Sequence, residues 1–388
     1  MRFLFVKHEL CWPRVSGHDV HTFGMMSALR QAGHAVDLLT CVACQPEALG
    51  SLQLDSQQTF SSNGKTDGEA ALAQMTRLQR KFCSYWGIPP QRIAEVADMA
   101  QRRGADVVVA VGLEVLPYLA AVQGARRVWY AADEWVAHHL SQFFPWQSRS
   151  WHHLRPAAVK GLYEWAFAPR VDRVWLVSQQ DATATRWVMR RVATDVVPNG
   201  VDTDHYCPQP VEETPRSCVF WGRLDFGPNL DAVRWFCRHV WTTLRQRHAD
   251  ARFSVFGFKP GEEIRRLAAE HGFELITDQA DIRAEVCRRQ LVVLPFVSGT
   301  GIKNKLLEAA ALGRPILASK TAINGVDLGG ERSLTVAARP ADWIASIERL
   351  WDDPDQRRQL GAAARRWVQR DYTWPAAAQR VVAPLEKR

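Results

Sequence analysis

Short apolar runs separated by amphipathic stretches recur along most of the chain. In the first half, runs at 3–6, 36–40, 107–111, 128–132, 173–177 and 195–197 have the length of buried strands, and helical spacing fills much of the sequence between them. A second series begins at "CVFWG", Cys218–Gly222, and continues through "RFSVFG", "FELIT", "LVVLPF" and "PILAS". Strands apolar throughout, alternating with helices, predict parallel sheets covered on both faces. Between the two series lies "VPNGVDTDHYCPQPVEETPRS", rich in proline, glycine and acidic residues, which is linker composition. The pattern predicts an α/β protein with two doubly wound domains, residues 1–200 and 217–372, joined by a linker at 201–216. Such domains facing one another across a cleft would offer ligands the carboxyl ends of their strands.

The segment "VSGTGIKNKLLEAAALGRPI", Val297–Ile316, follows one of these strands and reads as a glycine loop entering a helix. Lys303 and Lys305 stand where that helix begins, and a cation there opposes the helix dipole. An anion among them removes the conflict. Gly299 and Gly301 let the backbone approach closely, the first-turn amides point outward, and the lysines add charge. A diphosphate fits this description; a solvated loop with two surface lysines is the other reading. The segment lacks the Gly-Lys-Ser/Thr ending of a nucleoside triphosphatase phosphate loop, and no GxGxxG fingerprint occurs in the chain. Glu308 lies among leucines and alanines and is expected to be partly buried, where a carboxylate needs a partner. Two ribose hydroxyls would supply one, and so would Arg314 or another arginine.

Composition narrows the class. At 388 residues with 47% hydrophobic and 23% charged positions, the chain is globular, with no apolar run of bilayer length. The opening "MRFLFVKHEL" is too short between its charges for a secretion signal, so a cytoplasmic protein is expected. A formal charge of +8 and a pI near 9.2 suit an anionic partner. The arginines are spread out and no nucleic-acid motif gathers them, so nucleic acid is not expected. Of eight cysteines only Cys41 and Cys44 are close, which reads as reduced thiols rather than zinc ligands. The acidic "VDTD", Val201–Asp204, falls in the linker, so no metal site is assigned to it.

Four segments in order resemble one family. "GHDVHTFGMMSALRQAGHAVDLLT" (Gly17–Thr40), "VPNGVDTDHY" (Val197–Tyr206), "FWGRLDFGPNLDAVRWF" (Phe220–Phe236) and "GTGIKNKLLEAAALGRPI" (Gly299–Ile316) look like the retaining glycosyltransferases of the GT-B fold, family 4, also called glycosyl transferases group 1. The resemblance implies two Rossmann-like domains: an amino-terminal acceptor domain that regains a crossover helix at 373–388, and a donor domain at 217–372. It implies a UDP- or GDP-linked nucleotide-sugar donor, a glycan or lipid-linked acceptor, retention of anomeric configuration, and work in cell-surface polysaccharide biosynthesis. No cofactor or metal is expected. By the same resemblance Gly222 and Arg223 meet the donor diphosphate, Gly301, Ile302 and Lys303 form the donor loop, and Glu308 holds the nucleotide ribose. Arg223 and Lys303 would stabilise the departing diphosphate. Two positions depart from the family pattern: Thr300 stands where many members have the first glutamate of a pair, and Pro228 where many have a lysine. Thr300 is kept as a donor-site residue.

The first domain offers a thinner set. Gly17, His18 and His21 follow the first strand and form a candidate patch for donor phosphate (Gly17) and acceptor (His18 and His21), although His21 also suits the start of the helix "VHTFGMMSALRQAG". Asp133 ends the strand "RVWYAA" where relatives often have a histidine; it is assigned to catalysis and acceptor binding, with a helix cap as the alternative. From Ser141 to Trp175, aromatics alternate with arginines and a lysine, which suits either peripheral contact with an anionic membrane or core packing. Two other functions share this architecture: a nucleotide-sugar epimerase, and a non-catalytic nucleotide-sugar-binding partner of another transferase.

Overall fold

The apolar runs form two parallel sheets. The computed structural model describes residues 1–12, 17–60, 68–132, 136, 151–152, 154–299, 301–330 and 332–386. The chain divides into two units, Met1–Pro198 with Ala377–Arg388, and Asn199–Ala376.

Among the described residues the first unit has strands β1 (Arg2–Lys7), β2 (Ala35–Thr40), β3 (Ser56–Thr59), β4 (Val107–Val111), β5 (Arg126–Ala132), β6 (Arg173–Leu176) and β7 (Ala193–Val196). They run parallel in the order β3-β2-β1-β4-β5-β6-β7. Its helices are α1 (Gly17–Gln31), α2 (Pro46–Gly50), α3 (Gly68–Ala73), α4 (Arg77–Tyr85), α5 (Pro90–Arg103), α6 (Leu154–Phe167) and α7 (Gln179–Val188). Central β4, "VVVAV", is buried at every position, as a strand covered on both faces must be. Edge strand β3, "SQQT", has no buried residue, which is why hydrophobic patterning passes over it.

The second unit has β8 (Thr214–Arg223), β9 (Arg252–Phe258), β10 (Glu274–Thr277), β11 (Arg289–Leu294), β12 (Ile316–Ala318) and the two-residue edge β13 (Thr335–Val336), in the parallel order β10-β9-β8-β11-β12-β13. Helices α8 (Gly227–Phe236), α9 (Thr242–Arg247), α10 (Glu262–His271), α11 (Arg283–Arg288), α12 (Asn304–Ala311), α13 (Pro340–Asp352) and α14 (Pro354–Asp371) accompany it. The last helix, α15 (Trp374–Glu386), begins in this unit and ends in the first. Residues 201–216, read as linker, fall within the second unit: the amide of Val201 donates to Tyr372 O at 2.8 Å.

Strands β8 and β11 are neighbours although two strands separate them in sequence, so the order reverses there. That crevice is where open α/β sheets take ligands. The backbone is already crowded at its rim. Gly257 on β9 lies opposite Gly222 on β8, and a Cβ on Gly257 would sit 2.1 Å from Gly222 O and 2.6 Å from Leu224 Cγ. Gly257→Ala is expected to cost about 2 kcal/mol through forced separation of the strands. Urea unfolding checks this, with Gly261→Ala, where nothing lies within 4 Å, as the control that leaves the midpoint in place.

Candidate anion-binding site

The loop between β11 and α12 carries Gly299 at φ +99 and Gly301 at φ +72, both in the region that favours glycine. It delivers Lys303 to the cap position of α12, just outside the helix. There its Nζ donates to Gly301 O at 3.1 Å and stands 5.6 Å from the centroid of the Phe296 ring. The conflict with the helix dipole therefore falls on Lys305 alone.

Lys305 turns inward. Its Nζ donates to Asn229 Oδ1 at 2.9 Å and lies 5.0 Å from the Phe296 centroid and 5.4 Å from that of Phe220. Asn229 is buried on α8 and is itself fixed, its Nδ2 donating to Arg223 O at 2.8 Å. Gly222 makes room for both groups: at φ +150, a Cβ would meet Asn229 Nδ2 at 2.8 Å and Lys305 Nζ at 3.1 Å. Ring faces attract the ammonium, yet they desolvate it. Burial lowers the Lys305 pKa to about 8, against the pull of Glu308 and with added repulsion from Lys303. Among the described residues Lys305 forms no ion pair, and part of its surface remains accessible.

Glu308 lies one turn further along α12. Its Oε2 accepts from Trp221 Nε1 at 2.8 Å. Burial raises its pKa, while the Trp221 bond and the charge of Lys305 pull it back. Arg314 is not its partner: that guanidinium donates to Glu213 Oε1 at 2.7 Å and to Arg289 O at 2.6 Å. Arg223 ends β8 with an exposed side chain, and Asp225 holds its fork through contacts of 3.0 and 2.9 Å.

Gly222, Arg223, Gly301, Ile302, Lys303 and Glu308 thus gather at the carboxyl ends of β8 and β11, with Ile302 buried beneath the loop. Thr300 lies outside the described residues. Pro228, in place of a lysine, opens α8 and lies 3.4 Å from where a Gly299 Cβ would be. Sequence reasoning missed the inward role of Lys305 and the parts of Trp221 and Asn229. For Lys305 a signal existed in its three-residue spacing from Glu308, which puts both on one helical face.

In the first unit, α1 begins at Gly17, earlier than the apolar pattern places it, so His21 stands inside the helix rather than at its start. His21 is buried, with Nδ1 2.7 Å from Tyr130 Oη on β5. His18 is half-buried in the first turn, and its carbonyl accepts from Thr22 Oγ1 at 2.7 Å. Beside them Lys7 Nζ donates to the buried Asp19 Oδ1 at 2.9 Å. Asp133 lies outside the described residues. Of "VDTD", Asp202 Oδ1 accepts from the amides of Asp204 and His205 and closes a turn. Among the described residues no group of three or more His, Cys, Asp or Glu is placed to hold a metal ion.

Two family models match the chain: glycosyl transferases group 1 over residues 215–353, and glycosyltransferase family 4 over residues 15–205. The chain belongs to the group 1 glycosyltransferases. Its two parallel-sheet units are those of the GT-B fold. Anabaena HepE solved in complex with UDP is similar at a TM-score of 0.70 and 15% identity, covering 100% of both chains. TarM gives 0.70 at 10% identity, covering 100% of this chain and 99% of its own. A glycosyltransferase from Rickettsia africae gives 0.67 at 12% identity, covering 100% and 98%. Among curated proteins none matches by sequence. Membership in this family sets aside the epimerase and the non-catalytic partner.

In this glycosyltransferase the site's affinity for a diphosphate should depend on the protonation of Lys305. An anion favours the charged ammonium, so above pH 8 binding must draw a proton, and affinity falls as pH rises through the Lys305 pKa of about 8. The expected fall approaches about tenfold per pH unit above that value. Calorimetric titration of a nucleoside diphosphate between neutral pH and pH above 9 checks this, and Lys305→Met should weaken binding and flatten the profile.

Proposed function

We propose that the enzyme moves a sugar from a nucleotide-sugar donor to a glycan or lipid-linked acceptor with retention of anomeric configuration. One observation carries the donor half of this reading: a half-buried ammonium, Lys305, is held at a glycine-lined strand end without an ion-pair partner among the described residues. A diphosphate is the anion that fits, lying on the amides of the 299–303 loop with Lys303 and Lys305 beneath it and Arg223 released from Asp225 to grip it. Glu308 stands one helical turn on, where ribose hydroxyls would replace solvent at its carboxylate. UDP is the preferred nucleotide over GDP, since Anabaena HepE was solved with UDP and with UDP-glucose, and a TarM variant from S. aureus with UDP.

In this scheme the bond between the anomeric carbon and the β-phosphate oxygen breaks while the acceptor oxygen joins the same face of the sugar. The acceptor's proton passes to the leaving phosphate. Negative charge grows on that phosphate, so Arg223 and the two lysines stabilise the transition state more than the ground state. Two or three cations neutralise the diphosphate without a metal. Gly17 is assigned to the donor phosphate, His18 and His21 to the acceptor, with His21 held by Tyr130, and Asp133 to catalysis and acceptor binding. The acceptor is read as part of a cell-surface polysaccharide pathway, which would place the enzyme peripherally on a membrane.

Thermal unfolding with UDP, UDP-glucose, GDP and GDP-mannose tests the donor site. A ligand at about 100 times its dissociation constant adds roughly 2.7 kcal/mol. The expected result is a raised midpoint in the UDP series that Glu308→Ala removes. A folded protein whose midpoint none of the nucleotides moves would overturn the reading.

A further inference from the structure

Some surface arginines of this protein sit beside a carboxylate of their own neighbourhood. Arg102 pairs with Asp98, Arg216 with Asp250, and Arg339 with Asp342. The exposed cations of three neighbouring helices of the first unit do not. Helix α4 exposes Arg77, Arg80 and Lys81, α6 exposes Arg155, and Arg190 and Arg191 are exposed just after α7; none of the six has an ion-pair partner among the described residues. The only carboxylates in the three helices, Glu164 and Asp181, are buried.

The same helices expose large apolar side chains. On α6 the exposed positions 155, 158, 162 and 165 follow helical spacing and form one ridge, on which Leu162 is 47% and Trp165 60% accessible. Tyr85, at the end of α4, is 72% accessible, and Trp187 on α7 is 73%. These side chains share one side of the sheet. The connections containing α4, α6 and α7 all advance in the same direction along the strand order, and right-handed crossovers then place them on one face. Direct packing agrees: Phe82 of α4 meets Tyr163 of α6 with ring centroids 5.2 Å apart, Gln79 Nε2 donates to Ala166 O at 2.7 Å, and α7 packs on α6.

We propose that the α4–α6–α7 face docks on an anionic lipid bilayer, with Leu162 and Trp165 entering the headgroup layer and the unpaired cations lying against lipid phosphates. Tryptophan at an interface and cations near anionic headgroups are each favourable, and together they give reversible peripheral binding. Other occupants suit the face less well. A second copy meeting it across a two-fold axis would set unpaired cations against the same cations. A single-stranded nucleic acid would use the charges and the rings, but Leu162 on a convex ridge offers a base neither a stack nor a hydrogen bond. The inference extends the peripheral location proposed above and is independent of the donor site.

The test is co-sedimentation of the full chain with vesicles of phosphatidylcholine alone or mixed with phosphatidylglycerol, without sugar nucleotide. Binding should require the anionic lipid and weaken as salt is raised. The triple change Arg77→Gln, Arg80→Gln, Lys81→Gln should lower partitioning on the order of a hundredfold, and Leu162→Ser with Trp165→Ser should lower it as well. Arg358→Gln, which removes an exposed arginine paired with Asp355, should leave partitioning unchanged. Unchanged melting midpoints and retained nucleotide response in the variants would show that folding and the donor site are intact. Absence of binding to anionic vesicles, equal binding to neutral ones, variants that partition like the wild type, or a single-stranded oligonucleotide that displaces the vesicles would overturn the proposal.

Discussion

An ammonium seated over two adjacent phenylalanine rings sets the terms for the strand end around it. Lys305 has exchanged water for Phe220, Phe296 and the amide oxygen of Asn229, and that exchange depresses its pKa. The neighbours follow from it. Gly222 must lack a side chain, Asn229 must be oriented by Arg223 O, and β8 and β9 must approach closely enough that Gly257 also lacks one. A solvated lysine would demand none of this. The arrangement costs desolvation of a cation, which a bound diphosphate would offset in the function proposed above. It also divides the labour between two lysines that look alike in sequence: Lys303 closes the loop from outside the helix, and Lys305 carries charge into the crevice.

Arg223 is organised on the opposite principle. It remains at the surface, and Asp225 keeps its fork in a defined geometry. The pair is exposed, so it contributes little to stability. What it does provide is a fixed position for the guanidinium at the rim. A half-buried cation with a lowered pKa and an exposed one thus border the same strand end.

Much of this architecture was legible from residue order alone. Apolar runs located the central strands because those strands are buried on both faces, whereas the polar edge β3 and the two-residue β13 have no hydrophobic pattern to read. The glycine loop, the odd lysines and the isolated Glu308 marked a place where local rules conflict, and the fold gathers these residues at one strand end. Tertiary choices were not legible: that Glu308 would receive Trp221 rather than Arg314, or that Lys305 rather than Lys303 would turn inward, depends on which side chains the two strands bring together. In the first unit, His21 looked free to reach a ligand only because Tyr130, more than a hundred residues away, is invisible to local pattern. Of the arginine-rich aromatic stretch, residues 141–150 lie outside the described residues; among the rest Tyr163, Phe167 and Trp175 are in the core and Trp151 and Trp165 outside it.

The path of the chain carries a consequence for how the molecule can be taken apart. The second unit is an insertion: the chain enters it at Asn199 and leaves it at Ala376. The two crossings lie side by side, since Val201 bridges Thr373 and Gly200 lies against the backbone of Trp374. A segment whose ends emerge together can be excised, or its ends joined by a short link, without stretching its fold. The first unit has no such freedom. Cut at Pro198, it loses the end of α15, including Val381 and Leu385, which are buried in it. During synthesis the first unit therefore cannot be completed until the second has been made.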